Sequence, residues 1–152
     1  MDTAHSKTPI HLWIIGVVAL LWNCIGPIDY LMTRLRQDSW IEMGMPGVDP
    51  QVVYSYIDSM PIWSQIGWGL GVWGALIGSI LLLARSRHAV PVFAVSLLGV
   101  ALSLGWQLLA GPDMPPEMTR SASSQVMPYV IIVIAVALFL YARAMRTRRV
   151  LR

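Results

Sequence analysis

Long apolar stretches separated by short polar segments run through the 152-residue chain. Four of them approach the length of about 20 residues with which a helix crosses the hydrocarbon core of a bilayer. The pattern predicts an all-α membrane protein, a single domain with four transmembrane helices in an antiparallel bundle. The predicted spans cover residues 10–32, 62–84, 89–110 and 128–144.

Composition agrees with a membrane location. Hydrophobic residues make up 56% of the chain and charged residues 12%, with a mean hydropathy of +0.61, whereas soluble domains are about 25% charged. Bulky Trp22 and Asn23 precede the lone Cys24 and do not suit a signal-processing site, so we expect the first span to be retained. A single cysteine also excludes an internal disulfide.

A shorter helical pattern lies between the first two spans. Asp49 is a suitable N-cap and Pro50 a suitable first helical residue, and the sequence predicts a short amphipathic helix over about residues 50–60. The helix is expected to lie on the membrane surface with its apolar side down. A lid over a small cavity is the alternative. The apolar face would comprise Val52, Val53, Tyr56, Ile57 and Met60, with Tyr54 on the polar face.

Positive charge is unevenly divided between the two predicted sides of the bundle. Eight Lys and Arg residues fall on the side of the chain termini and three on the other. Because cytoplasmic flanks carry the excess of Lys and Arg, both termini are predicted to be cytoplasmic. Five of the eight lie in the basic tail, residues 143–152, which indicates contact with the lipid bilayer rather than with nucleic acid.

Small residues recur along the second span at helical spacing. They let helix backbones approach closely, which favours helix association in lipid. This span is therefore predicted to be the centre of the bundle, packed against another span of the chain or against a second copy. One stripe comprises Gly67, Gly71, Ala75 and Ser79, and the other Gly74 and Gly78.

Polar residues in the first span are the candidates for an intramembrane site. Pro27 lacks an amide hydrogen and is expected to bend the helix and free the carbonyl of Asn23. Asn23 lies about 18 Å along the helix from its start, near the middle of the bilayer. Its side chain could make a functional polar contact with a substrate or with Ser103 or Gln107 of the third span, or it could form an interhelical hydrogen bond that only holds the bundle together.

Asp29 belongs to a different depth in this interpretation. It lies about 27 Å along the same helix, near the membrane surface, where a carboxylate can stay hydrated. Pairing with Arg34 or Arg36 is one expectation for it, and a functional role is the other. Without an acidic residue deep in a span, proton-coupled export of cations, as in small multidrug exporters, is not expected.

Chemistry of other kinds has little support. The chain has no recognisable nucleotide-binding, protease or hydrolase motif, so no catalytic residue, cofactor or enzyme activity is expected. Thioether sulfur suits Cu(I), and methionines concentrate in the segments opposite the termini. A Cu(I) site there is a further alternative, with Met43, Met45, Met114 and Met118 as its candidate ligands.

Two stretches are similar to a known group of proteins. They are "HLWIIGVVALLWNCIGPIDYLMTRLR" and "MPIWSQIGWGLGVWGALIGSILLLARSRHAVPVFAVSLLG". With their Trp-Asn, Asp-Tyr and Gly-Trp-Gly blocks, they resemble small four-span bacterial inner-membrane proteins of unassigned function, often labelled "sugar transporter". The resemblance covers roughly residues 11–107. It implies a bacterial inner-membrane location and supplies no site residue.

Two functional hypotheses follow. The first is a non-enzymatic accessory or assembly subunit that packs through the second span against a larger membrane complex or a copy of itself, because packing residues outnumber chemical ones. The second is a dimeric transporter for a neutral polar solute such as a sugar, with Asn23, Gln107 and tryptophans along its path.

Overall fold

The computed structural model describes residues 8–109, 114–119 and 122–151. Within these ranges the chain is all-helical, as predicted. The helices are α1 (Ile10–Arg34), α2 (Asp38–Gly44), α3 (Pro50–Asp58), α4 (Ile62–Leu83), α5 (Ala89–Leu109), α6 (Pro116–Thr119) and α7 (Ala122–Thr147).

Four helices, α1, α4, α5 and α7, are long and apolar enough to cross a membrane. They pack as the predicted bundle, with α4 against α1 and α5, and α5 against α7. Residues 8 and 151 lie at one end, which we call the terminal end. The opposite end carries α2, α3 and α6 and is called the loop end. The chain is a multi-pass membrane protein, and the cytoplasmic placement of its termini stays a prediction.

The predicted span boundaries differ most for the fourth span. It was predicted to begin at Pro128, but α7 already begins at Ala122 and contains this proline. Proline is tolerated within membrane helices because neighbouring groups can satisfy the freed carbonyl. Likewise α1 runs as one helix from Ile10 to Arg34 with Pro27 inside it. The last predicted residue of the third span, residue 110, lies outside the described ranges.

Glycines bring α4 and α5 into close contact. A Cβ atom added to Gly99 would lie 2.5 Å from the backbone nitrogen of Gly71 and 2.6 Å from the carbonyl oxygen of Gly67. One added to Gly74 would lie 2.9 Å from Cβ of Ser96. The two backbones therefore meet with no room for side chains, which is the packing that small residues allow in lipid.

The terminal end is closed by a cluster of buried apolar side chains. Leu12 of α1, Leu82 of α4 and Phe93 of α5 meet there and are at most 2% exposed. The basic tail begins as helix, because α7 continues to Thr147, and Val150 and Leu151 then fold back into this terminal-end cluster.

The tail turns at a residue with left-handed backbone geometry. Arg149 has a φ of 57°, and the amide of Val150 donates a 3.0 Å hydrogen bond to the carbonyl of Met145. This is the Schellman ending of a helix, in which the residue after the turn also makes an apolar contact with the last helical turn. Here Val150 and Met145 are both buried in the terminal-end cluster.

The loop end has a small core of its own, which the sequence did not predict. The predicted helix is present as α3, and Asp49 caps it by accepting a 2.9 Å hydrogen bond from the amide of Gln51. Tyr54, assigned to the polar face, is instead only 3% exposed, because α2 and α6 pack around α3. This loop-end cluster comprises Ile41, Val48, Val53, Tyr54, Tyr56 and Met118.

Candidate ligand cavity

A cavity of about 700 Å³ lies among the four membrane helices. We call it the bundle cavity. On the loop-end side, α2, the α2–α3 loop and α6 contribute to its wall. From the membrane helices it is lined by Trp22, Asn23, Ile25, Gly26 and Asp29 of α1, Gly67, Trp68, Gly71, Val72 and Ala75 of α4, Phe93, Ser96, Val100, Ser103 and Leu104 of α5, and Met127, Ile131, Ile134, Ala135 and Leu138 of α7.

The cavity exists because α1 and α7 approach each other at the terminal end and leave space nearer the loop end. At the terminal end His11 Nδ1 and the Tyr141 hydroxyl lie 2.6 Å apart in a hydrogen bond. Toward the loop end, residues of both helices instead face the bundle cavity. Phe93 and Leu138 belong both to the cavity wall and to the terminal-end cluster, so this cluster forms the floor.

Asn23 is buried on the wall of the cavity and makes an interhelical hydrogen bond, but not with Ser103 or Gln107. Its side-chain amide donates a 2.9 Å hydrogen bond to Ser79 Oγ and lies 3.4 Å from the carbonyl oxygen of Ala75. Both partners are on α4, not at Ser103 or Gln107 of α5. Because α1 packs against α4, the polar side of α4 satisfies the amide.

Asp29 also lies on the cavity wall, and none of the arginines that the structure describes pairs with it. Its Oδ1 accepts a 3.0 Å hydrogen bond from the indole nitrogen of Trp40 in α2. Arg34 donates to Gln65 at 2.8 Å and Arg36 to Asp58 at 2.8 Å. The expected pairing is absent because Gln65 binds the guanidinium group of Arg34 and Asp58 binds that of Arg36.

Asn23 and Asp29 were expected at different depths of the membrane, but both line the same cavity. They are six residues apart, about 9 Å along the helix axis. The cavity extends from Leu138 of α7 to the α2–α3 loop, so both residues lie within its extent. The polar groups of α1 therefore belong to one site with two levels. Pro27 is buried in the same turn of helix, though it does not line the cavity.

The small residues of α4 divide between two partners within the chain. Gly67, Gly71, Gly74 and Gly78 face α5, since a Cβ on each would meet α5 atoms at 2.7–3.2 Å. Ala75 and Ser79 instead face Asn23 of α1. The predicted helix-packing face is thus occupied by other spans of the chain, which is one of the two alternatives left open for it.

The polar residues predicted on α5 have different positions. Ser103 lines the bundle cavity, whereas Gln107 lies beside the Tyr56 hydroxyl at the loop end. Ser96, which also lines the cavity, donates a 2.7 Å hydrogen bond to the carbonyl of Gly71. Sequence reasoning missed Trp22, Trp40 and Trp68 as specific wall residues. No local signal separates a tryptophan that faces a cavity from one that anchors a span.

The candidate copper ligands are only partly brought together. Met45 and Met118 line the cavity, and Met114 packs against the same loop-end cluster. Met43 is 68% exposed and does not belong to this group. Among the residues that the structure describes, no group of three His, Cys, Asp or Glu side chains could hold a metal ion.

Two tyrosines of α3 have perturbed ionisation outside the membrane-spanning segments. Burial raises the pKa of the Tyr54 phenol, and the hydrogen bond that it donates to Asp38 raises it further. Burial also raises the pKa of Tyr56, and the nearby Gln107 amide lowers it by less. Both phenols favour the neutral form, as expected for hydroxyl groups in an apolar cluster.

Comparison with known proteins adds no assignment: no family model, curated protein or solved structure matches this chain. The chemistry of the site therefore stands on its geometry. The wall is mainly aliphatic and aromatic, with one amide, one carboxylate and two serines contributed by the membrane helices. Such a cavity can bind a small molecule, and its volume is within the roughly 300–1,000 Å³ of ordinary ligand sites.

Proposed function

We propose that this protein is a non-enzymatic membrane protein that binds a small, largely apolar molecule in the bundle cavity. The observation that carries the proposal is a cavity of about 700 Å³ inside the bundle, with its floor at the terminal-end cluster. Apolar walls favour binding of such a molecule because its hydrocarbon surface is removed from water. A few fixed polar groups would orient it.

A sugar fits this site less well than an apolar guest. The Asn23 amide already donates to α4, and the Ser96 hydroxyl already donates to Gly71. Gln107, proposed for the sugar path, does not line the cavity. Most hydroxyl groups of a sugar would lose their hydrogen bonds to water without replacement, which is unfavourable.

Transport is an extension of the same proposal. The terminal-end cluster closes the floor with Leu12, Leu82 and Leu151. A carrier that alternates access would have to part these side chains. Binding from the loop-end side, or from the adjoining lipid, requires no such rearrangement.

An accessory role in a larger complex is the second proposal. The glycine stripes that suggested it are used within the chain, so a partner would need another surface. The outer face of α1 offers one, since Ile14, Val18 and Leu21 are 59–66% exposed. Purification from the source membrane in native nanodiscs, followed by mass analysis, would detect a stoichiometric larger subunit. Recovery of this chain alone would count against the accessory role.

Equilibrium dialysis with a neutral apolar probe tests the binding proposal. Radiolabelled triphenylphosphine oxide should bind nanodiscs that contain the protein at one saturable site per chain, above its partitioning into empty nanodiscs. Ala135→Trp, which places an indole in the cavity, should abolish this binding. Ala137→Trp, on the exposed side of the same helix, should preserve it.

The matched pair makes the result decisive. Non-saturable uptake, equal to that of empty nanodiscs, would contradict the proposal. Saturable binding that both tryptophan variants retain equally would place the site elsewhere and would contradict it as well.

A further inference from the structure

The ionisable groups on the cavity wall share one sign. Asp29 and Glu117 line the bundle cavity, and no lysine, arginine or histidine does so among the described residues. Arg34 is not among the residues that line the cavity. Its guanidinium donates to Gln65 and lies over the rings of Tyr30 and Trp68.

The Asp29 carboxylate is not neutralised by a counter-ion in the described part of the chain. The ion pair recorded there joins Arg36 to Asp58. Asp29 has a neutral partner, the indole N–H of Trp40, and is half-buried. A carboxylate in a site of low dielectric attracts a cation more strongly than it would in water. Within the described residues, the charge of Asp29 is therefore open to a cation bound in the cavity.

Three tryptophans contribute to the same wall, namely Trp22, Trp40 and Trp68. The faces of indole rings attract cations, most strongly when the pair is desolvated. Trp68 already has one such neighbour, because the Arg34 guanidinium carbon lies 5.8 Å from the ring centroid. Aromatic walls and a carboxylate together select positive charge without requiring a hydrogen-bond donor from the ligand.

We infer that the ligand of the bundle cavity is a lipophilic cation, such as a quaternary ammonium or phosphonium with alkyl or aromatic substituents. This inference rests on the proposed function, whose site it uses. The charged centre lies at the level of Asp29, and the hydrocarbon part packs along Val100, Leu104 and Ile131. An anion of the same shape does not bind, because the carboxylates of Asp29 and Glu117 repel it.

Three phenyl-substituted probes of different charge, two of them equal in shape, test the assignment. Tetraphenylphosphonium, triphenylphosphine oxide and tetraphenylborate are compared by equilibrium dialysis against nanodiscs of uncharged-headgroup lipid that contain the protein. Empty nanodiscs supply the partition baseline for each probe. The cation should bind at least about tenfold more tightly than the neutral probe, a difference of about 1.4 kcal/mol. The anion should show no saturable binding.

Substitution of the carboxylate separates charge from shape. Asp29→Asn keeps an oxygen that can accept from Trp40 but removes the charge. It should weaken tetraphenylphosphonium binding about tenfold and leave triphenylphosphine oxide binding unchanged, which also shows that the variant is folded. Glu117→Gln should weaken binding of the cation less than Asp29→Asn does, because the Glu117 side chain is exposed. Asp58→Asn, outside the cavity, is the matched control and should have no effect.

The two proposals fail in different ways. Equal affinities for the three probes, or a cation affinity that Asp29→Asn does not change, would overturn the charge assignment while binding itself stands. Absence of saturable binding for every probe would contradict the proposed function together with this inference.

Discussion

Trp40 Nε1 donates a 3.0 Å hydrogen bond to Asp29 Oδ1, which joins α2 to α1 at the wall of the bundle cavity. The bond has two consequences, since Trp40 and Asp29 are both wall residues. It orients the carboxylate that we assign to ligand binding. It also fixes a seven-residue helix that is too short to be stable without tertiary contacts.

Loss of this bond should loosen α2. In Trp40→Phe the Asp29 carboxylate loses its indole donor, and a hydrogen bond to a charged group contributes about 1.5–3 kcal/mol. Amide hydrogen exchange in residues 38–44 should become roughly tenfold faster. Trp63→Phe is the control, since Trp63 is 46% exposed at the start of α4. Unchanged exchange in Trp40→Phe would show that α2 is held by other contacts.

The Asn23–Ser79 bond should couple α1 to α4. Asn23→Ala and Ser79→Ala should each lower the free energy of unfolding in mixed micelles by about 1 kcal/mol. The double variant should lose less than the sum, because both single changes remove the same 2.9 Å bond. Strictly additive losses would mean that the two side chains do not interact in the membrane.

The α4–α5 interface should tolerate no methyl group at Gly99. A Cβ there would lie 2.5 Å from the nitrogen of Gly71, and backbone cannot rotate away as a side chain can. Gly99→Ala should therefore lower the free energy of unfolding by roughly 1–3 kcal/mol. Gly105→Ala on the same helix has no described atom within 4 Å of its new Cβ. It should be neutral or stabilise by up to about 1 kcal/mol, and destabilisation of equal size in both variants would contradict the packing.

The loop-end cluster should weaken at alkaline pH. Burial and the hydrogen bond to Asp38 raise the pKa of Tyr54 above its ordinary value of 10.0. The stabilisation that favours the neutral phenol is therefore complete below pH 10 and is lost as pH rises through the folded-state pKa. Hydrogen exchange in α3 should accelerate in that range, and Tyr54→Phe should reduce the acceleration. Tyr129→Phe, at an exposed position of α7, should leave it unchanged.

Local sequence pattern was sufficient for the helices that carry their own signals. The membrane spans follow from apolar length, and the start of α3 follows from Asp49 and Pro50. By contrast α2 has no side-chain cap and forms because Ile41 and Trp40 have partners elsewhere in the fold. Its existence could not be deduced from its own seven residues.

The candidate site was harder to predict because it depends on helix rotation. Asn23 was correctly selected as a buried polar residue, but its partner depends on which face of α4 or α5 it meets. A rotation of about 100° per residue separates neighbouring faces of a helix. Asp29 was assigned to the water interface from depth alone, whereas α2 covers that level and supplies Trp40.

Photolabelling with a diazirine derivative of triphenylphosphine oxide most directly tests the claim that the bundle cavity is the ligand site. In nanodiscs, peptide mapping should find label on cavity residues of three helices, such as Trp22, Leu104 and Ile131, and excess unlabelled probe should suppress it. Label confined to lipid-exposed residues such as Val18 and Leu21, with no competition by unlabelled probe, would contradict the account.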